Sequence, residues 1–252
     1  MDDKIHLIPV GPNLVCGKSL PQEIQPLENN PLTNTPQAEV LTRQILEERW
    51  DKALAEHGTN RIIGVNLPAF NRATASPAEW SLMSFLPLYL VSSFLKCQQC
   101  GQCCRPNERH WDRGVVLSRD EILTLKNYYR LEKRAGKTYL KYPCPALSGS
   151  RCTRYKIRPF GCRLFPFNIT WNPETGDEEG LGLLMHCPAA REFYVTVNLF
   201  MQDFYAHLEK CRAAGKPRFD LKDLDLIRAN YESKTIHPDD LAYMKAKAKS
   251  PY

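Results

Sequence analysis

Residues 97–104 read Cys97-Gln98-Gln99-Cys100-Gly101-Gln102-Cys103-Cys104, which places four thiols within eight positions. Four more follow at Cys144, Cys152, Cys162 and Cys187, so eight of the ten cysteines fall in one segment. Thiolates are soft ligands, and the Cys-x-x-Cys spacing aims two of them at one tetrahedral centre. Here two such pairs overlap, Cys97/Cys100 and Cys100/Cys103, with Gly101 available where the chain must turn at positive φ. In an extended chain the adjacent Cys103 and Cys104 would point to opposite faces, which suits two centres or two irons of one cluster. The alternative is a disulfide framework. Disulfides persist in oxidising compartments, and Met1-Asp2-Asp3-Lys4-Ile5-His6 lacks the basic start and apolar core of a signal peptide. The reading is therefore a metal or cluster site in a soluble cytoplasmic protein.

Charge sharpens the picture. The formal charge is +6, yet between Arg105 and Arg163 there are fifteen Lys/Arg against five Asp/Glu, leaving the rest slightly acidic. Such a basic segment offsets the negative charge of a thiolate-bound centre, since four thiolates outweigh a divalent ion by two units. It also suits a polyanion such as nucleic acid. Arg158 and Arg163 bracket Cys162, where cations favour the thiolate; they could instead grip a carboxylate or phosphate. Prolines on both sides of Cys144 stiffen its loop and preset the direction of its thiolate. His186, beside Cys187, and Tyr155 are read as neighbours of the site, orienting its ligands or contacting a substrate. Cys16 has no second ligand nearby in sequence and reads as an ordinary thiol; Cys211, near the end of a helix, reads as an ordinary thiol too.

The elements around these residues follow from periodicity and caps. Residues 1–38 carry six prolines and read as an irregular arm. Val40, Leu41, Ile45, Leu46, Trp50 and Leu54 give residues 39–57 a helical stripe that stops at Gly58. Residues 59–75 read as loop. Ser76-Pro77-Ala78-Glu79 opens a second helix, expected to kink at Pro87 and deliver the chain into the cysteine run; its aromatic residues read as core. Val115–Leu117 is a short strand candidate. Ser118-Arg119-Asp120-Glu121 is a capping box for a helix carrying Ile122, Leu125, Tyr129 and Leu131 and ending at Gly136. Phe167–Trp171 and Leu181–Met185 flank a turn-rich stretch and read as a hairpin. Helices are expected over 189–214, 219–230 and 238–248.

The fold expected is α+β and predominantly helical: an irregular Cys-rich metal-binding core with a short β-hairpin, flanked by helices. Three segments are expected: an arm plus amphipathic helix over 1–80, a Cys-rich domain over 81–190 and a helical extension over 191–252. No stretch reaches the roughly 18 apolar residues of a membrane helix. The nucleotide-binding glycine fingerprints and the Gly-x-Ser-x-Gly nucleophile elbow are absent.

The blocks Cys97-x-x-Cys100-Gly101-x-Cys103-Cys104, Leu117-Ser118-Arg119-Asp120-Glu121-Ile122, Cys144-Pro145-Ala146-Leu147, Cys152-Thr153-Arg154-Tyr155, Arg158-Pro159-x-x-Cys162-Arg163-x-Phe165-Pro166 and Cys187-Pro188 occur in this order. Together they resemble the YkgJ-type CxxCxxCC cysteine-cluster family, over about residues 95–190. The resemblance implies zinc or iron binding. One branch sharing the domain, the flagellin lysine N-methylases, carries an iron–sulfur cluster. The favoured cofactor is accordingly a 4Fe-4S cluster on four of the eight thiolates, with a methyl-transfer or redox role on a protein or anionic small molecule. The alternative is a non-catalytic zinc module with a basic surface for nucleic acid or protein.

Overall fold

A computed structural model describes residues 7–8, 36–59, 62–65, 77–105, 115–134, 136–140, 143–171, 178–215 and 221–249. In chain order the elements are β1 (Leu7–Ile8), α1 (Pro36–His57), β2 (Ile62–Gly64), α2 (Pro77–Phe94), β3 (Val115–Leu117), α3 (Arg119–Leu125), β4 (Leu131–Arg134), β5 (Lys137–Leu140), β6 (Leu147–Ser148), β7 (Arg151–Cys152), α4 (Phe160–Leu164), β8 (Phe167–Trp171), β9 (Glu178–Leu184), α5 (Ala190–Ala213), α6 (Leu221–Arg228) and α7 (Pro238–Lys249). Short 3-10 turns lie at Gln102–Cys104 and Tyr155–Ile157. The protein is thus α+β and predominantly helical. No described helix is long and apolar enough to cross a membrane. Most of the proline-rich arm, and the 172–176 turn expected between β8 and β9, lie outside the described residues.

Two compact units divide the chain. Lys96–Phe165 forms a cysteine unit, and Ile5–Leu95 with Pro166–Tyr252 forms a helical unit.

In the helical unit, α5 packs with α1, α2 and α6, and α7 packs on α2. Phe85, Tyr89 and Phe94 of α2 are buried, as expected of core aromatics. The Phe94 and Phe200 rings lie 5.1 Å apart and those of Trp50 and Tyr194 5.4 Å. Such contacts add to simple area burial. Two polar ties cross this core: the Tyr89 hydroxyl donates to Asp225 Oδ1 at 2.9 Å and the Ser92 hydroxyl to Asp240 Oδ2 at 2.9 Å. Helix α2 runs through Pro87 and ends at Phe94.

Helix α1 forms where expected, and Gly58 follows it at φ 72. Its buried line, however, is Leu46, Trp50 and Ala53, while Val40, Leu41 and Ile45 are 66%, 56% and 51% exposed. The side facing α5 is covered. There Arg191 clamps Asp51 with two hydrogen bonds, at 2.9 and 2.8 Å. Residues 62–64 are strand rather than loop. Ile63 and Val65 are fully buried, and β2 joins a four-stranded sheet in the order β1-β2-β9-β8. The expected hairpin is its antiparallel β8–β9 pair, with Phe167 opposite Leu183.

In the cysteine unit the capping box of α3 is complete: Glu121 N donates to Ser118 Oγ at 3.3 Å, and Ser118 N to Glu121 Oε2 at 2.9 Å. The other oxygen of Glu121 accepts from Phe160 N, so one carboxylate fixes the start of both α3 and α4. Helix α3 stops at Leu125, well short of Gly136. Leu131–Leu140 is instead a hairpin, with Arg134 opposite Lys137 and Gly136 at φ 74 in its turn. Gly marks a tight hairpin turn as well as a helix stop, and pairing Leu131 with Leu140 buries Leu140. The resulting sheet has the order β3-β5-β4. Ser118→Ala should cost about 1 kcal/mol, read as a drop in the unfolding midpoint of this unit; an unchanged midpoint would show the cap to be idle.

Candidate metal centre

Four segments of the cysteine unit supply its thiols, and backbone bonds fix them. The run itself bends sharply: Gln99 sits at φ 52 and Gly101 at φ 73, and Gln99 N donates to Cys97 Sγ at 3.4 Å. Residues 102–104 then form one 3-10 turn, closed by Cys104 N on Gly101 O at 3.0 Å. This overturns the extended reading of the doublet. At three residues per turn, adjacent side chains are about 120° apart rather than opposed, so Cys103 Sγ and Cys104 Sγ lie 3.9 Å from each other.

The second segment is tied directly to the first, because Cys144 N donates to Cys104 O at 3.2 Å. Leu147 N returns to Cys144 O at 3.0 Å, closing the proline-flanked loop. The β6–β7 hairpin then places Cys152 opposite Leu147, with Gly149 at φ 58 in its turn. Thr153 holds that hairpin down with two bonds to Ala146 O, from its N–H at 2.8 Å and its hydroxyl at 2.9 Å. Cys162 comes from α4, which packs on β3; a side chain at Gly161 would meet Val115 Cγ1 at 2.7 Å.

The outcome is a cluster centred on Cys104. Its buried thiol interacts with those of Cys103, Cys144 and Cys152. Sharing its proton with these three neighbours, Cys104 is pushed far above the ordinary thiol range. The same contacts pull the neighbours down: Cys144 to about 7, helped by the N–H groups of Ala146 and Leu147, and Cys152 to about 6, helped by Arg154 N–H and the Arg158 charge. Cys103 is lowered too, chiefly by Cys104 and also by Arg158. Cys162 is raised by burial and by the nearby charges of Cys103, Cys144 and Cys152.

Arg158 is the cation that these sulfurs share. Its Nε donates to Tyr155 O at 3.1 Å, and its guanidinium lies 3.8 Å over the Tyr155 ring. Tyr155 in turn bonds the thiol of Cys97, and its own hydroxyl is raised first by burial. Arg163 lies 5.7 Å over the ring of Phe160. Cys100 is half-buried within the bent run. Cys187 and His186 belong to the helical unit, in the turn between β9 and α5, where Ala190 N donates to Cys187 O at 2.9 Å.

The donor set fits a metal. Metal–sulfur bonds of about 2.3 Å in a tetrahedron imply sulfur–sulfur edges of about 3.8 Å, and the Cys103–Cys104 separation of 3.9 Å matches one such edge. No disulfide joins the nine described cysteines. Two of the seven buried residues in this unit's core are themselves cysteines, Cys104 and Cys144, beside Leu117, Leu125, Tyr129, Leu140 and Ala146.

Residues 96–188 match the CxxCxxCC family model, described as a "Putative zinc- or iron-chelating domain". The match covers little more than a third of the chain. It agrees with metal binding by the cysteine unit. No curated protein and no solved structure matches the chain.

Proposed function

We propose that Lys96–Phe165 is a metal-folded binding module in which Cys103, Cys104, Cys144 and Cys152 hold one zinc-class ion and the surrounding basic surface receives an anionic partner. The observation that carries this is the buried thiol of Cys104, in contact with three others drawn from the cysteine run, the Cys144 loop and the β6–β7 hairpin. When bound, such an ion supplies cross-linking: it joins loops that share little apolar core, as closed thiolate sites do. Arg158 offsets part of the surplus negative charge. Its stacking on Tyr155 and its bond to the main chain suit charge compensation better than capture of a substrate. Outside the cluster, Arg105, Arg119, Lys126, Arg130, Lys137 and Arg151 are exposed. Their partner is an acidic protein or nucleic acid, inside a reducing compartment such as the cytoplasm, where thiols persist.

The full chain should be retained on an immobilised polyanion and released steeply as salt rises. Retention that ignores salt, or none at all, would sink the binding role.

The surplus of thiols favours a second reading. Cys162 stands within charge range of Cys103, Cys144 and Cys152, and Cys97 and Cys100 lie in the same run. Seven thiols exceed what one closed tetrahedral ion takes. That excess suits an iron–sulfur centre, with the methyl-transfer or redox role that the resemblance implies. Anaerobic purification separates the two readings: equimolar iron and acid-labile sulfide with a broad visible band for the cluster, colourless protein with stoichiometric zinc for the module.

A further inference from the structure

The helical unit gathers its own ligand-type side chains at one point. His207 and Cys211 are four residues apart on α5, so they share one face of that helix. Asp223 stands in the first turn of α6, which packs against α5. The His207 Nε2–Asp223 Oδ1 distance is 3.0 Å and the His207 Nε2–Cys211 Sγ distance is 3.4 Å. All three ligand atoms lie within 4.8 Å of one another. Cys211 and Asp223 are buried, and the His207 side chain is 22% exposed, which leaves a path to solvent.

Both contacts converge on the same ring nitrogen, and this constrains their chemistry. In a neutral imidazole, Nε2 either carries a proton or offers a lone pair. With the proton it donates to Asp223, and the Cys211 sulfur, a weak acceptor, is left at most a share of that same proton. Without it, it accepts from the thiol but faces a carboxylate oxygen lone pair to lone pair. One ion in the middle would satisfy all three atoms at once. Zinc bonds of about 2.0–2.2 Å to nitrogen and oxygen and about 2.3 Å to sulfur give tetrahedral N···O and N···S edges of about 3.4 and 3.6 Å. The separations of 3.0 and 3.4 Å lie within about 0.4 Å of these. One nitrogen, one sulfur and one oxygen also form a borderline donor set that suits zinc better than calcium or magnesium.

We propose that His207 Nε2, Cys211 Sγ and Asp223 Oδ1 form a second, mononuclear divalent-metal site, selective for zinc-class ions. Its fourth position is filled by water, since no fourth His, Cys, Asp or Glu joins the group among the described residues. Three protein ligands and a water is the composition of an open zinc site. Bound there, the ion pins α6 to α5. The site shares no ligand with the thiolate centre and does not rest on it.

The test loads the full chain, Cys211→Ser and Asp223→Asn with cobalt(II) under anaerobic conditions and counts metal after desalting. The wild-type chain should hold one equivalent more than either variant, and should bind that equivalent at least about 100-fold more tightly. This bound is conservative, because loss of an outer hydrogen-bond partner alone costs about 10- to 100-fold. Circular dichroism should show the variants to be folded; Asp223→Asn, close to isosteric, decides the matter if Cys211→Ser is not. Equal metal content and affinity in all three proteins would overturn the proposal and leave a His–Asp–Cys hydrogen-bond cluster. The difference between wild type and variants is independent of how much metal the cysteine unit takes, so the two proposals fail separately.

Discussion

Replacing Cys104 with serine should empty the metal centre and unfold residues 96–165 while the helices of the other unit persist. Cys104 is the thiol that the other three touch, so no three-ligand remnant keeps the same geometry. The unit's core is thin, and two of its seven buried residues are candidate ligands. Metal binding therefore supplies folding free energy directly; in zinc-finger peptides the apparent contribution is about 10–16 kcal/mol. Loss of one ligand should weaken binding by well over about 100-fold, given that outer-sphere partners alone are worth about 10- to 100-fold. Hydrogen exchange should show β3, β5 and β6 losing protection, with α2 and α5 unchanged. The buried aromatic core of Phe94, Phe200 and Phe204 is distinct from the thiol cluster. Cys104→Ser protein that binds metal as tightly as wild type would remove Cys104 from the centre.

Gly101→Ala should also be damaging, by less and for a different reason. Gly101 adopts φ 73, and a Cβ there would stand 2.7 Å from Ser150 O and 2.8 Å from Leu147 Cδ1. The left-handed backbone costs an L-residue about 1–2 kcal/mol, and forcing atoms into a filled space about 1–3 kcal/mol more. The sum, about 2–5 kcal/mol, falls where the cysteine run packs on the β6–β7 hairpin, so metal affinity should fall with stability. Gly58 provides the control. It has nearly the same φ, 72, but nothing within 4 Å of an added Cβ. Gly58→Ala should therefore cost only the conformational part, about 1–2 kcal/mol, and leave metal binding unchanged. Equal losses at both positions, measured by denaturant unfolding, would show that the close approach at Gly101 carries no weight.

The local signals that could be read from the sequence were those complete within a few residues. The Ser118–Glu121 box, the Gly58 stop, the β8–β9 hairpin and the three C-terminal helices each depend on adjacent side chains or a plain period. The misread elements depend on distant partners. Ile62–Gly64 is strand because β9 pairs with it. Leu131–Arg134 is strand because Lys137–Leu140 folds back on it, and Gly136 carries the same signature in a hairpin turn as at a helix end. Half of the apolar stripe of α1 lies open because nothing in its spacing says which turns meet α5.

The site followed the same division. Metal binding was legible in the cysteine spacing, whereas the direction of the Cys103–Cys104 doublet depended on a 3-10 turn that the period-two argument did not anticipate. Cys211 looked ordinary because one of its neighbours, Asp223, lies on another helix. The spacing of His207 and Cys211 on one helix face was the available signal.

X-ray absorption at the metal edge tests the central claim most directly. It should be measured on anaerobically prepared full chain carrying Cys211→Ser, so that the second proposed site contributes no sulfur. A sulfur-dominated shell near about 2.3 Å, lost when Cys104 is also replaced, is the predicted result. A shell of oxygen and nitrogen alone, or a sulfur shell indifferent to Cys104, would contradict the account.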